Sequence, residues 1–349
     1  MGEKTQKTEN FQKNKEKQIA RKINLIITRL PEECRKYLRT KNTIISASSI
    51  LAYAYDLQIF FDWYAEHATA TLSTDMTAKL TLDDIRLVTV DDIENYMQSA
   101  TERINTKTRL RQLNALNGFL NYEVVHEHIE KNPCASYNRP RIKDAPVIVT
   151  LTDDEVSAIL SAVSSGCGFT PHQRKYNKHV IYRDYTIIYL LLMTGIRVSE
   201  CEGLNISDVN VNERYMIVFR KGGRSQQIPI PDALALYLTE YLSIRTAIQG
   251  VSEAHQNALF LSTRLTRLGK ASIEQIVEKY ARAAGINKPI TPHKLRKTYG
   301  TELYRHTHDI YLVARALGHR NVDTTTKHYV TQNYDTLADS ISGFDYGDN

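Results

Sequence analysis

Apolar residues recur at intervals of three and four through most of the chain, and this period predicts helices. The series Ile50, Tyr53, Leu57, Phe60, Phe61, Tyr64 and the series Leu110, Leu113, Leu116, Leu120, Val124 each give a helix one apolar stripe. Thr89 and Asp92 have the spacing of a capping box and predict a helix over 93–100. Thr152 and Glu155 form a second box that opens a helix just after Leu151. Further helical periods run over 234–248, 272–284, 292–304 and 310–317. Alternation occurs clearly in one place: Tyr215, Ile217 and Phe219, then Gly222 and Gly223, then the alternating run 226–230. That pattern predicts a β-hairpin with Lys221 beside its turn. The expected class is mainly α with a small β-sheet.

The breaks between these runs set the expected domains. Residues 1–19 are nearly all Lys, Glu, Gln, Asn and Thr, too polar to bury anything, and are expected to be a disordered basic tail. Residues 20–131 read as a small helical domain. Pro133, Pro140 and Pro146 mark residues 132–147 as an extended, basic linker. Residues 148–334 form a second domain, with a C-terminal tail over 335–349. Two domains suit a chain of 349 residues, which exceeds the size at which one core usually stops growing. The polar stretch 164–182, with Gly166, Gly168 and Pro171, is expected to be an exposed loop; its His172, Arg174, Lys175 and His179 offer contacts to DNA.

Composition narrows the function. A hydrophobic fraction of 42% and a charged fraction of 24% are those of an ordinary globular protein. The longest apolar run, 187–193, falls far short of the ~20 residues that span a membrane. The basic N-terminus has no secretory signal, so a cytoplasmic location is expected. Cys34, Cys134, Cys167 and Cys201 lack finger-like spacing and read as reduced thiols, with no metal implied. The net charge of +6 is uneven: residues 1–41 hold twelve Lys/Arg against five Asp/Glu, while 331–349 hold only acids. Such asymmetry favours a polyanion partner. Arg103, Lys107 and Arg111 would share one stripe of a continuous helix, either a solvated face or a set of phosphate contacts.

Breaking a phosphodiester without a metal takes cations and N–H donors around a pentacoordinate phosphorane, a nucleophile, and an acid for the leaving oxygen. In Thr194-Gly195-Ile196-Arg197, Gly195 can end a helix in the left-handed region and present Arg197 at the first turn of the next. Arg197 suits a bidentate grip on phosphate, and Glu200, one turn on, is placed to hold its guanidinium. Taken alone, an Arg at such a place is more often a surface ion pair. In Thr291-Pro292-His293-Lys294-Leu295-Arg296, a capped helix with Pro at its first position sets His293 and Arg296 on one face. A lone H-x-x-R arises often by chance. Leu317-Gly318-His319 ends a helix and leaves His319 just beyond it; ten residues later comes Tyr329, one Tyr among 21. The order of the motifs is far more specific than any one of them.

In that order, T-G-x-R, K-G-G, T-P-H-x-L-R, L-G-H and a Thr-rich run ending in Tyr, the chain resembles the tyrosine recombinase (phage integrase) family over roughly 148–335. The resemblance implies that Arg197, His293, Arg296 and His319 surround the scissile phosphate. It implies that Lys221 protonates the leaving 5′-oxygen, that Tyr329 becomes joined to the 3′-phosphate, and that Glu200 supports Arg197. His293 is the preferred general base and His319 a donor to phosphate. Arg220 and Arg224 rival Lys221 as the acid and are equally suited to backbone phosphates. The resemblance further implies a helical core-binding domain that clamps duplex DNA and a catalytic α+β domain, acting as a homotetramer on inverted-repeat core sites through a Holliday junction. Neither cofactor nor metal is called for. Two other readings remain: a type IB topoisomerase working as a monomer, and a DNA-binding regulator without chemistry. The tail residues Tyr334, Leu337, Ile341 and Phe344 have roughly helical spacing, which suits docking on the same or a neighbouring protomer.

Overall fold

The computed structural model describes residues 2–67, 74–140, 149–220 and 224–318. Contacts divide the chain into two compact units, one of Phe11–Pro146 and one of Val147–Asn349 together with Met1–Asn10.

The chain begins with α1 (Gly2–Ile27). This corrects the expected disordered tail: residues 3–30 contain no Gly or Pro, and Lys, Glu and Gln are strong helix formers even where they bury nothing. The first unit continues with α2 (Glu32–Lys41), α3 (Ala47–His67), α4 (Leu82–Arg86), α5 (Val90–Ser99) and α6 (Thr106–Val125). Thr81 and Thr89 cap α4 and α5 through reciprocal boxes with Asp84 and Asp92. Because Thr89 is itself the cap, α5 starts at Val90 and not at residue 93 as expected. Ile50, Ala54, Leu57, Phe61 and Tyr64 line the buried face of α3; α6 answers with Leu113, Leu116, Phe119 and Leu120. Phe61 meets Phe119 edge-on at 5.7 Å, and Phe60 meets Tyr96 of α5 edge-on at 5.2 Å. Each such aromatic or aliphatic side chain contributes about 1.5–3 kcal/mol by leaving water.

The second unit is built around α9 (Lys178–Thr194), whose Ile187, Ile188, Leu190 and Leu191 are wholly buried. Before it come α7 (Asp153–Ser164), opened by the Thr152–Glu155 box, and α8 (Pro171–Tyr176). The loop expected over 164–182 is therefore largely helical. Pro171 sits at the first position of α8 and Thr170 caps it through Gln173, so the proline marks a helix start. After α9 follow α10 (Val198–Gly203) and an antiparallel sheet of β1 (Val209–Asn210), β2 (Tyr215–Phe219) and β3 (Ser225–Pro229) in that order. Met216 pairs with Ile228 and both are buried, which fixes the hairpin register. The chain then forms α11 (Asp232–Thr246), α12 (Lys270–Ala283), α13 (Pro292–Thr307) and α14 (Ile310–Leu317). Among the described residues, no helix is long and apolar enough to cross a membrane.

Candidate active site

Gly195 ends α9 with φ +58, and a Cβ there would lie 2.3 Å from the Tyr299 ring. Glycine is thus required twice over, by backbone conformation and by space. The turn it makes sets Arg197 as the N-terminal cap of α10. Glu200, at the third position of α10, reaches back to the cap: its Oε2 accepts the Arg197 backbone N–H at 2.8 Å, and its Oε1 accepts Nη1 of the Arg197 guanidinium at 2.9 Å. The Glu200 side chain is only 3% exposed, while that of Arg197 is 36% exposed. Glu200 and Arg197 are thus joined by an ion pair one helical turn apart.

Arg296, on the first turns of α13, is buried. Its Nη1 donates to the carbonyl of Gly195 at 2.6 Å and its Nη2 to that of Leu317. Arg197 Nη2 reaches the Gly318 carbonyl at 3.5 Å. The end of α14 thus gathers guanidinium groups from separate parts of the chain. A helix C-terminus leaves its last carbonyls without intrahelical donors and carries the negative end of the helix dipole, so cations settle there.

Arg220, at the end of β2, joins the same cluster. Its Nη1 bridges both Glu200 oxygens at 3.2 and 3.0 Å, its Nε donates to Gln226 Oε1 at 2.8 Å, and its Nη2 donates to the Ala316 carbonyl at 3.1 Å. The side chain is 9% exposed, and burial pulls its pKa down while Glu200 pushes it up. Expected as a ligand of backbone phosphates or a rival general acid, Arg220 is bonded in this structure to protein acceptors. Glu200 beside the guanidinium favours its protonated form, which makes it a poorer proton donor. Arg224 is exposed, and its carbonyl accepts the Arg220 backbone N–H at 2.7 Å. Tyr299 lies beside Arg220 and Arg296; burial raises its pKa and the two arginines counter it. Neither Tyr299 nor Gln226 carried any signal in the sequence beyond lying near a motif.

His293 is exposed at the second position of α13, one turn before Arg296. Lys221, His319 and Tyr329 lie outside the described residues, as do Gly222 and Gly223 and the tail 335–349. Arg103, Lys107 and Arg111 do not form the expected stripe, because α5 ends at Ser99 and α6 begins at Thr106 behind the cap Asn105. Arg103 folds back onto Ser99, and Arg111 pairs at 2.7 Å with buried Asp56. All three are exposed, and Arg111 is the one that forms an ion pair among the described residues.

Around the end of α14, then, stand Arg197, Arg220 and Arg296 with Glu200, which pairs with the first two, and the surplus charge of these four is positive. Such a cluster is chemically suited to an anion, and its most exposed member is Arg197. Residues 150–336 match the phage integrase family. The chain belongs to that family. Tyrosine recombinase XerC of Caldanaerobacter subterraneus subsp. tengcongensis is 32% identical to this family member over 292 residues, covering 80% of the chain and 77% of the relative. Tyrosine recombinase XerS of Lactococcus lactis subsp. cremoris is 25% identical over 365 residues, 94% of the chain and 100% of the relative. Among solved structures, the Tn1549 transposon integrase in complex with circular intermediate DNA matches with a TM-score of 0.64 at 18% identity, over 89% of this chain and 99% of that one. XerH bound to palindromic difH substrate in a post-cleavage complex matches with a TM-score of 0.63 at 19% identity, over 93% and 94%. These structural likenesses establish the fold. Family and relatives together make this phage integrase family member a tyrosine recombinase, an enzyme of site-specific DNA recombination.

Proposed function

We propose that Arg197 and Arg296 neutralise the scissile phosphate of a duplex DNA core site, that Tyr329 attacks it to form a 3′-phosphotyrosyl link, and that Lys221 protonates the leaving 5′-oxygen. The observation that carries this reading is the meeting of Arg197, Arg296 and Glu200 at the end of α14. Charge grows on the non-bridging oxygens as the phosphorane forms, and fixed cations stabilise it without reorganising; losing one such donor slows catalysis by about 10²- to 10³-fold. A phenol with a pKa near ~10 needs a base at neutral pH, and His293, exposed one turn from Arg296, is assigned that role with His319 as a donor to phosphate.

The wider assignments rest on the resemblance to the family: residues 20–131 as the DNA-clamping domain, 148–334 as the catalytic domain, 335–349 as a docking tail, inverted-repeat sites, a homotetramer and a cytoplasmic location. The test uses duplexes selected by binding from a random pool and nicked to trap the covalent product. Wild-type chain forms an adduct that denaturant does not separate, and Tyr329→Phe binds the same duplex without forming it. An adduct retained by Tyr329→Phe moves the nucleophile elsewhere. Relaxation of supercoiled plasmid lacking the selected site, at the rate seen with it, would favour a monomeric topoisomerase instead.

A further inference from the structure

In the unit Phe11–Pro146, Glu33 of α2, Glu123 of α6 and His128 of the turn after α6 each place one possible ligand atom within 4.8 Å of the others. This is a mixed set of oxygen and nitrogen donors and not a surface patch of acids. The Glu123 side chain is 0% exposed, that of Glu33 11% and that of His128 32%.

The polar contacts within the group are incomplete. Glu123 Oε2 lies 2.7 Å from His128 Nδ1, and Glu33 Oε1 accepts the Lys36 ammonium at 2.9 Å. Glu123 Oε1 and Glu33 Oε2 are buried without a hydrogen-bond partner among the described residues. A buried acceptor left unpaired costs about 1–3 kcal/mol, and more when charged. Two adjacent carboxylates also repel each other. Burial raises the pKa of Glu123, with His128 pulling it down and Glu33 pushing it up. Lys36 answers only part of this charge, from a side chain that is 49% exposed.

We propose that Glu33, Glu123 and His128 bind one divalent transition-metal ion, for which zinc is the fitting probe. Two carboxylate oxygens and one imidazole nitrogen suit zinc, with water as a fourth ligand. Magnesium and calcium favour all-oxygen sets with more ligands. The ion takes the place of the proton shared by His128 Nδ1 and Glu123, and it supplies the unpaired carboxylate oxygens with a partner. It fastens the start of α2 to the end of α6 and has no part in strand cleavage.

The test is calorimetric titration of zinc chloride into the full chain after removal of metals by a chelator, paired with thermal melting. Wild type should take up one equivalent and melt higher with zinc. His128→Ala, at a position exposed enough to fold without the ring, should bind at least ~10-fold more weakly and lose the melting shift. Glu123→Gln should do the same; if it does not fold, Glu33→Gln takes its place. His126→Ala is the control, since its ring lies 6.0 Å from that of His128 yet stands outside the group, and it should bind as wild type. Failure to bind one equivalent, or equal binding by wild type and His128→Ala, overturns the site. So does loss of binding in His126→Ala alone.

Discussion

Replacing Arg220 with alanine tests whether the cluster at the end of α14 is a built unit. The side chain is 9% exposed and donates to Glu200, Gln226 and the carbonyls of Ala316 and Leu317. In Arg220→Ala, Glu200 keeps Arg197 as a partner but loses the guanidinium that bridged both its oxygens, and the helix-end carbonyls lose donors. Removing one member of a buried ion pair costs about 3–5 kcal/mol. At ~2–4 °C per kcal/mol for a unit of this size, the melting temperature should fall by ~6–20 °C, read by scanning calorimetry of the full chain. Arg220→Lys, which keeps the charge but not the planar fork, should fall by less. The same variants distinguish a positioning group from a phosphate ligand. Each phosphate contact adds about 0.9 to the slope of log affinity against log salt, so Arg220→Ala, assayed well below its melting point, should keep the wild-type slope. An unchanged melting temperature together with a slope lowered by about 0.9 would refute the argument and put Arg220 on DNA.

Gly195→Ala should destabilise the second unit, because its Cβ would meet the Tyr299 ring and φ is +58; a wild-type melting curve would show that the ring yields freely. Burial lifts the Asp56 carboxyl to about 6, with Arg111 opposing. That value lies above the ~3.9 of the unfolded chain, so the folded state takes up the proton first and the cost of burying the charge is relieved as pH falls from about 6 towards 4. Arg111→Ala should therefore destabilise more at pH 7.5 than at pH 5, and equal losses in denaturant titrations at both would count against the pair. Lys221→Ala should slow cleavage ~10²- to 10⁴-fold on ordinary DNA. On a substrate with sulfur at the leaving 5′ position, whose thiol pKa is near ~8.5, it should approach wild type, while Arg197→Ala stays impaired; sulfur that fails to rescue Lys221→Ala removes it as the acid.

Local rules were legible in the sequence because neighbours in the chain carry them. Gly195 and Gly318 end helices at positive φ, Thr152 caps α7 through Glu155, and Pro292 opens α13, all as their spacing implied. Misreadings arose where one residue type serves opposite purposes. Pro171 reads as a loop former yet starts a helix, while the Lys-rich and Glu-rich N-terminus can bury little yet has high helix propensity. Arg220 was illegible for a different reason. Its helix-end acceptors come from Ala316 and Leu317, nearly a hundred residues away, and no local pattern distinguishes an arginine bound for them from one bound for phosphate.

Arg220 also explains how like charges can stand together at the end of α14. Three guanidinium groups drawn to one anion would repel one another and drift apart if each were held only by that anion. Here Glu200 takes hydrogen bonds from both Arg197 and Arg220, while carbonyls of Gly195, Ala316, Leu317 and Gly318 accept further ones. The repulsion is therefore met by folding, at the cost of burying Arg220 and Arg296, and phosphate need not assemble the site. Gly318 completes the arrangement: with φ +61 it turns the chain where a Cβ would come within 2.8 Å of the Arg220 guanidinium. A side chain there would strain the turn and push Arg220 off Glu200. Gly318→Ala should thus lower cleavage while leaving DNA binding in place, and a variant that cleaves as wild type would show that the cluster tolerates displacement of its buried arginine.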